Sequence, residues 1–208
     1  MIKLMTNNYI NDVIKVHMQS FQDFFLTFLG ARFLRLYYNR VINHRNAIKF
    51  VHVEDNKVKG FIVGTMNPSG FYAVLLRRDW FRFGIASIPA ILRKPWSFFR
   101  LLHALTKPAH TPKNRNIAEL SSIAVTSNVH NKGIGKEMVV AFINEVKDRG
   151  GSAIYLTTDA YNNDSVNAFY QKMGFKIKRC FETPQGRLMN EYFYEINDKE
   201  KGSNFKSC

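Results

Sequence analysis

A Gly-x-Gly turn held between a strand-like run and a helix-like run most restricts what this 208-residue chain can fold into. Residues 118–125 (AELSSIAV) read as a strand and residues 137–147 (EMVVAFINEVK) as a helix. Between them stand Asn128, Val129, His130, Asn131, Lys132, Gly133, Ile134, Gly135 and Lys136. Glycine lets the backbone approach a ligand closely or take a positive φ. Backbone N–H groups converge at such a turn, and the following helix N-terminus adds a dipole that favours an anion. The pattern therefore expects a phosphorylated ligand, although the same pair of glycines also serves in ordinary tight turns. No Lys-Ser/Thr follows the second glycine, which disfavours a Walker-type NTPase loop. The turn also comes late in the chain rather than in a first βαβ unit, which disfavours a dinucleotide fold.

The remaining elements follow from periodicity and breakers. Residues 2–5 read as a short strand, with Asn7 or Asn8 as a cap for a helix carrying Ile10, Val13, Ile14 and Val16. A second helix is expected over 28–43, where Phe33, Leu34, Tyr37, Tyr38 and Val41 recur at helical spacing. Residues 47–53 and 58–66 read as strands joined by a hairpin turn at 54–57. Two or three helices, interrupted by Pro89 and Pro95, are expected in 71–115, ending in a loop over 107–116. Later come a strand at 152–157, a helix at 163–173, and strands at 176–182 and 188–195 joined through Pro184-Gln-Gly186. The polar tail from residue 197 is expected to be disordered. The order β-α-α-β-β, insertion, β-α-β-α-β-β mixes hairpins with βα crossovers, which points to an α/β fold with a mixed sheet.

Size and charge narrow the class. The length suits one domain with an insertion, long enough to bury a core. A formal net charge of +14 attracts polyanions of any kind: nucleic acid, an anionic membrane or a phosphorylated substrate. Two cysteines, Cys180 and Cys208, form neither a disulfide framework nor a metal-ligand spacing, so a reducing, cytoplasmic setting is the default. The first residues carry no long apolar run, so no signal peptide is read. No stretch reaches the roughly 18 apolar residues of a membrane span. The histidines show no ligand spacing, and no metal is expected.

A second motif follows the turn: Asn163, then Tyr170 seven residues on, then Gly174-Phe175. Together with His130-x-x-Gly133-x-Gly135, it resembles the GNAT N-acetyltransferase superfamily, whose phosphate-binding motif reads Gln/Arg-x-x-Gly-x-Gly/Ala. The resemblance covers residues 1–197 apart from the 71–115 insertion, leaving 198–208 as a tail. It implies a single domain with a mixed, mostly antiparallel central sheet flanked by helices, the insertion falling between the third and fourth strands. It further implies acetyl transfer from acetyl-CoA, as co-substrate, to an amine by direct attack in a ternary complex. The backbone of Ile123, Ala124 and Val125 would hold the pantetheine arm. Residues His130, Asn131, Lys132, Gly133, Ile134, Gly135 and Lys136 would cradle the pyrophosphate. His130 departs from the family's Gln or Arg, yet even a neutral imidazole offers one N–H. Asn163 would contact the cofactor or cap its helix. Glu119, four residues before Ile123, would be the general base, and Tyr170 the acid toward the CoA sulfur. Against these roles, a strand Glu is ordinarily a solvated side chain, and a Tyr after Phe169 is ordinarily core.

The acceptor side is implied to lie at 21–38 and 71–115. The segment 21–30 (FQDFFLTFLG) with the following Phe33-Leu34-x-x-Tyr37-Tyr38 resembles a subgroup associated with bacterial surface-polysaccharide loci. That resemblance implies an amino-sugar acceptor, nucleotide-linked in one version. A protein or peptide amine remains an alternative acceptor, and a non-catalytic membrane- or nucleic-acid-binding protein an alternative use of the fold. The insertion carries Trp80, Trp96, five phenylalanines and Arg77, Arg78, Arg82, Arg93, Lys94, Arg100 and Lys107 against one acid, Asp79. It reads as a lid, as a peripheral membrane contact, or as a nucleic-acid surface.

Overall fold

A β-hairpin over 47–65 stands near one side of the sheet. The computed structural model describes residues 1–22, 24–68, 80–93, 116–127, 133–183 and 186–196. Strands β2 (Ala47–Glu54) and β3 (Lys57–Thr65) pair antiparallel across a tight turn. Asp55 and Asn56 both take positive φ there, 50° and 56°, which suits the right-handed twist of a two-residue hairpin. Strand β1 (Ile2–Leu4) adds to the outer edge of β2. The later strands are β4 (Ile117–Val125), β5 (Ala153–Asp159), β6 (Lys176–Glu182) and β7 (Leu188–Glu195). They complete a seven-stranded sheet of order β1-β2-β3-β4-β5-β7-β6, in which only β4–β5 is parallel. This is the mixed, mostly antiparallel α/β sheet that the sequence pattern and the family resemblance imply.

Helices cover both faces because strand residues alternate sides. On one face lie α1 (Ile10–Ser20), α2 (Phe25–Leu29) and α3 (Ala31–Ile42), packed on Val51, Phe61 and Val63. On the other lie α5 (Ile134–Asp148) and α6 (Asp164–Lys172), packed on Ile62, Leu120, Ile154 and Leu156. Helix α4 (Trp80–Arg93) stands between β3 and β4 in the chain and packs against α2 and α3.

Three local expectations are corrected. The helix expected over 28–43 is two helices, because Gly30 takes φ 89° and turns the chain between α2 and α3. Neither Asn7 nor Asn8 caps α1; both belong to a 3-10 turn, Asn7–Tyr9, that leads into it without a side-chain cap. Pro89 does not interrupt α4. Proline removes one backbone donor and crowds the preceding turn. Packing offsets that cost, with Phe83 buried on Phe33 (ring centroids 4.9 Å) and Ser87 fully buried. Pro95, the loop over 107–115, Pro184 and the tail from 197 lie outside the described residues.

His17 of α1 shows how dry the first face is. Its Nδ1 hydrogen-bonds the Tyr38 hydroxyl at 2.7 Å, its ring stacks on Phe61, and burial lowers its pKa from 6.5 to about 4. The unfolded chain therefore takes up a proton that the native state refuses until about pH 4. Stability held above pH 6.5 is lost as pH falls toward 4, by about 3 kcal/mol at roughly 1.4 kcal/mol per unit. Urea unfolding across that window should show this loss in the native protein and a shallower one in His17→Asn. An equal slope in both would assign the acid sensitivity to other groups.

Candidate active site

Two neighbouring strands part company in the middle of the sheet. The parallel pairing of β4 and β5 runs through Ile117↔Ala153, Ala118↔Ile154 and Glu119↔Tyr155. No later pair follows, although β4 continues to Val125 beside β3 and β5 continues to Asp159 beside β7. The facing edges of 120–125 and 156–159 thus diverge into a V-shaped cleft. Its β4 side, the six residues 120–125, is about 20 Å long. An extended ligand carrying amides would pair with the backbone of Ile123 and Ala124 in the manner of an added strand.

A bulge sharpens the divergence. Val63 pairs with Ser122 but Gly64 pairs with Leu120, so Ser121 is the extra residue that bends β4. Gly64 is required at this step, since a Cβ there would meet the Phe142 ring at 2.5–2.6 Å and the Glu119 carbonyl closer still. Ile123, Ala124 and Val125, the expected pantetheine contacts, all lie beyond the bulge on the cleft edge.

In the chain, β4 is followed by α5, whose N-terminus carries the Gly-x-Gly turn. Gly133 caps that helix with φ 80°, a conformation few side chains tolerate, and its carbonyl accepts the Glu137 N–H at 3.0 Å. The N–H groups of the first turn, Ile134 to Lys136, have no intrahelical acceptor and favour an anion. Gly135 sits within that turn, with a position for Cβ 3.5 Å from the Phe169 ring. Thus the first glycine is needed for its backbone and the second faces α6. His130, Asn131 and Lys132 lie outside the described residues.

Glu119 marks the apex. Ala118 and Leu120 are buried on the α5 side, so Glu119 between them points to the α1–α3 side. It is half-buried rather than solvated. The Tyr155 hydroxyl hydrogen-bonds it from the adjacent strand. Burial first, then the Glu119 charge, push the Tyr37 and Tyr155 hydroxyls well above the usual range, so both stay protonated beside the carboxylate. One strand further, Glu191 is buried and accepts a 2.8 Å hydrogen bond from Arg179 of β6. The α1–α3 face of the cleft thus carries two carboxylates flanking a tyrosine, with exposed Thr157 opposite Glu191.

Tyr170 lies on the other face. Its ring packs on Phe169, Phe175 and Tyr192 at 5.3, 5.7 and 5.8 Å, and burial pushes its hydroxyl well above the usual range. Asn163 precedes α6 but its side chain does not cap it. The amide instead donates to Thr158 Oγ1 at 2.6 Å and to the Asp159 carbonyl at 3.2 Å. Asn167, one turn on, donates to the same carbonyl at 3.1 Å and accepts from Asn190 and Tyr192. Both asparagines pin α6 to the free end of β5, which forms one wall of the cleft. On the α1–α3 face, Arg187 forks onto Asp159 at 2.7–3.0 Å and lies 5.5 Å over the Phe24 ring, joining the β6–β7 turn to the α1–α2 turn.

Several of these residues escaped the sequence reading. The Asn163/Asn167 spacing of one helical turn was visible in the motif. Tyr155, Glu191 and Arg187 gave no local signal, because their roles depend on which strands become neighbours. Among the described residues there is no group of His, Cys, Asp and Glu that could hold a metal ion.

Residues 99–175 match the model of the Acetyltransferase (GNAT) family. A mycothiol acetyltransferase of Paenarthrobacter aurescens is 39% identical over 59 residues, 28% of this chain and 18% of that enzyme, so the match spans under a fifth of its length. The ribosomal-protein-S18-alanine N-acetyltransferase of Escherichia coli shares the fold, with a TM-score of 0.59 and 12% identity over 99% of each chain. An aminoglycoside 6'-N-acetyltransferase solved with coenzyme A does so too, with a TM-score of 0.60 and 15% identity over 94% of this chain and 96% of that one.

Proposed function

We propose that this chain, which carries a domain of the GNAT acetyltransferase family, moves an acetyl group from acetyl-CoA to an amine, with an amino sugar as the acceptor. The parting of β4 from β5 at the Glu119↔Tyr155 pair carries the reading. In this reading Gly133 and the first turn of α5 would hold the anion at the open end of the cleft, with the Glu119 carboxylate at its apex. A phosphorylated, amide-bearing arm laid along 120–125 would put its far end beside Glu119. That is the shape of acetyl-CoA: pyrophosphate at the α5 N-terminus, pantetheine amides on the strand edge, thioester at the apex.

The two faces then divide the chemistry. An amine approaching from the α1–α3 side meets Glu119, which takes its proton directly or through one water. The nitrogen attacks the thioester carbonyl, the C–S bond breaks, and Tyr170 on the α6 side protonates the departing thiolate. Burial keeps the Tyr170 proton in place until a thiolate develops beside it. Direct attack needs no nucleophilic side chain, and the described cysteine, Cys180, is exposed on the edge strand β6. The acceptor face offers Thr157, the Arg187–Asp159 fork and the Arg179–Glu191 pair. Such a polar lining suits a hydroxyl-rich amine better than an apolar side chain.

Calorimetric titration with acetyl-CoA tests the premise. Binding is expected in the micromolar range typical of such substrates. Gly133→Val should weaken it about tenfold or more, because a β-branched residue resists φ near 80° and displaces the cradle. Gly135→Ala should change it far less. Absence of binding by the folded native protein would refute the acetyltransferase reading.

A further inference from the structure

Helix α6 carries Tyr170 yet has little apolar hold on the sheet. It is nine residues long, too short to be stable in isolation, and Tyr170 is its one buried side chain. What seats its earlier turns is polar. Register defines the surface beneath: Leu156 pairs with Tyr192 and Thr158 with Asn190, and Leu156 and Tyr192 belong to the core on the α5–α6 side. Side chains two apart on a strand share a face, so Thr158 and Asn190 also stand on that side. Asn163 reaches this patch through β5. Asn167 reaches both strands. Its amide donates to the Asp159 carbonyl of β5 at 3.1 Å. Its Oδ1 accepts from Asn190 Nδ2 at 3.2 Å and from the Tyr192 hydroxyl at 3.0 Å, both on β7.

We infer that Asn167 is a positioning residue for Tyr170, holding α6 where the Tyr170 hydroxyl meets the cofactor sulfur. The inference rests on the role proposed for Tyr170 and deepens it. Asn167 stands three residues before Tyr170, about one helical turn away. An amide is directional at both ends: its nitrogen donates toward Asp159 while its oxygen accepts from β7. Held between two strands in this way, it restrains both the roll of α6 and its slide along β5. Tyr192 links the two residues directly, since its hydroxyl bonds Asn167 and its ring lies 5.8 Å from the Tyr170 ring. Proton transfer to a leaving thiolate depends on such restraint, because a misplacement of about 1 Å can cost about 100-fold in rate. A plain structural role would be narrower: Asn167 would only satisfy the hydroxyl of fully buried Tyr192 and the Asn190 amide.

Calorimetric titration of the full chain with coenzyme A and with desulfo-coenzyme A, in which hydrogen replaces the thiol, tests this without an acceptor. At pH 9 the CoA thiol is partly ionised, while burial keeps Tyr170 protonated. The native protein is expected to prefer coenzyme A about tenfold, the size of one charge-assisted hydrogen bond. Tyr170→Phe should bring that ratio close to one. Asn167→Ala, with its fold checked by circular dichroism, should bring it below about threefold while desulfo-coenzyme A binds as before. Asn167→Ser, small and polar but too short to reach both strands, should do the same and guards against misfolding of the alanine variant. A merely structural Asn167 would lower stability or weaken both ligands alike, leaving the ratio unchanged. The inference is overturned if Tyr170→Phe loses the preference and a folded Asn167 variant keeps it. Retention of the preference by Tyr170→Phe would instead refute the role of Tyr170 itself, and this inference with it.

Discussion

The kcat of Glu119→Gln is expected to fall about 100- to 10,000-fold, the range for loss of a positioned general base. The amide has the shape of the carboxylate and can still accept the Tyr155 hydrogen bond, so the fold and cleft apex should be kept. What it cannot do is take a proton from the attacking amine. Affinity for acetyl-CoA should move by less than about threefold, since the proposed cofactor contacts are the strand edge and the α5 N-terminus. The loss should shrink as pH rises through the acceptor amine's own pKa, because a free amine needs no base to become nucleophilic. Steady-state rates from pH 6 to 10, followed by CoA release, separate the cases. An unchanged kcat would reduce Glu119 to a hydrogen-bond partner of Tyr155.

Much of the architecture was legible because each element carried its own local signal. Alternation in 47–53 and 118–125, helical recurrence in 10–20 and 137–147, and the Glu54–Lys57 turn required no tertiary knowledge. Errors arose where tertiary packing overrode a local rule. Pro89 is a sound breaker in isolation, but Phe83 and Ser87 lock α4 onto its neighbours and the helix continues. Gly30 falls inside the helix expected over 28–43 and instead turns the chain with φ 89°. The candidate site was half visible for a related reason. Glu119, Tyr170, Asn163 and Gly133 lie in contiguous motifs. Tyr155 and Glu191 matter only because β5 lies between β4 and β7, an order that no periodicity encodes. The Asn163 side chain shows the same limit, since capping was the local expectation and Thr158 takes the amide instead.

Tyr170→Phe offers the sharpest separation of chemistry from packing. The ring is buried among Phe169, Phe175 and Tyr192, and phenylalanine fills the same volume. A purely structural tyrosine would therefore tolerate the change with a stability loss of about 1 kcal/mol or less. A tyrosine that protonates the CoA thiolate would not, and kcat should fall about 100-fold or more with little change in acetyl-CoA affinity. The leaving group adds a second readout. An acetyl thioester of a more acidic thiol needs less help to depart, so the deficit should narrow with such a substrate. A Glu119 variant, impaired at proton removal from the amine, should show no such narrowing. Equal kcat for Tyr170→Phe and the native enzyme, with intact folding, would return Tyr170 to the core and leave protonation of the thiolate to solvent.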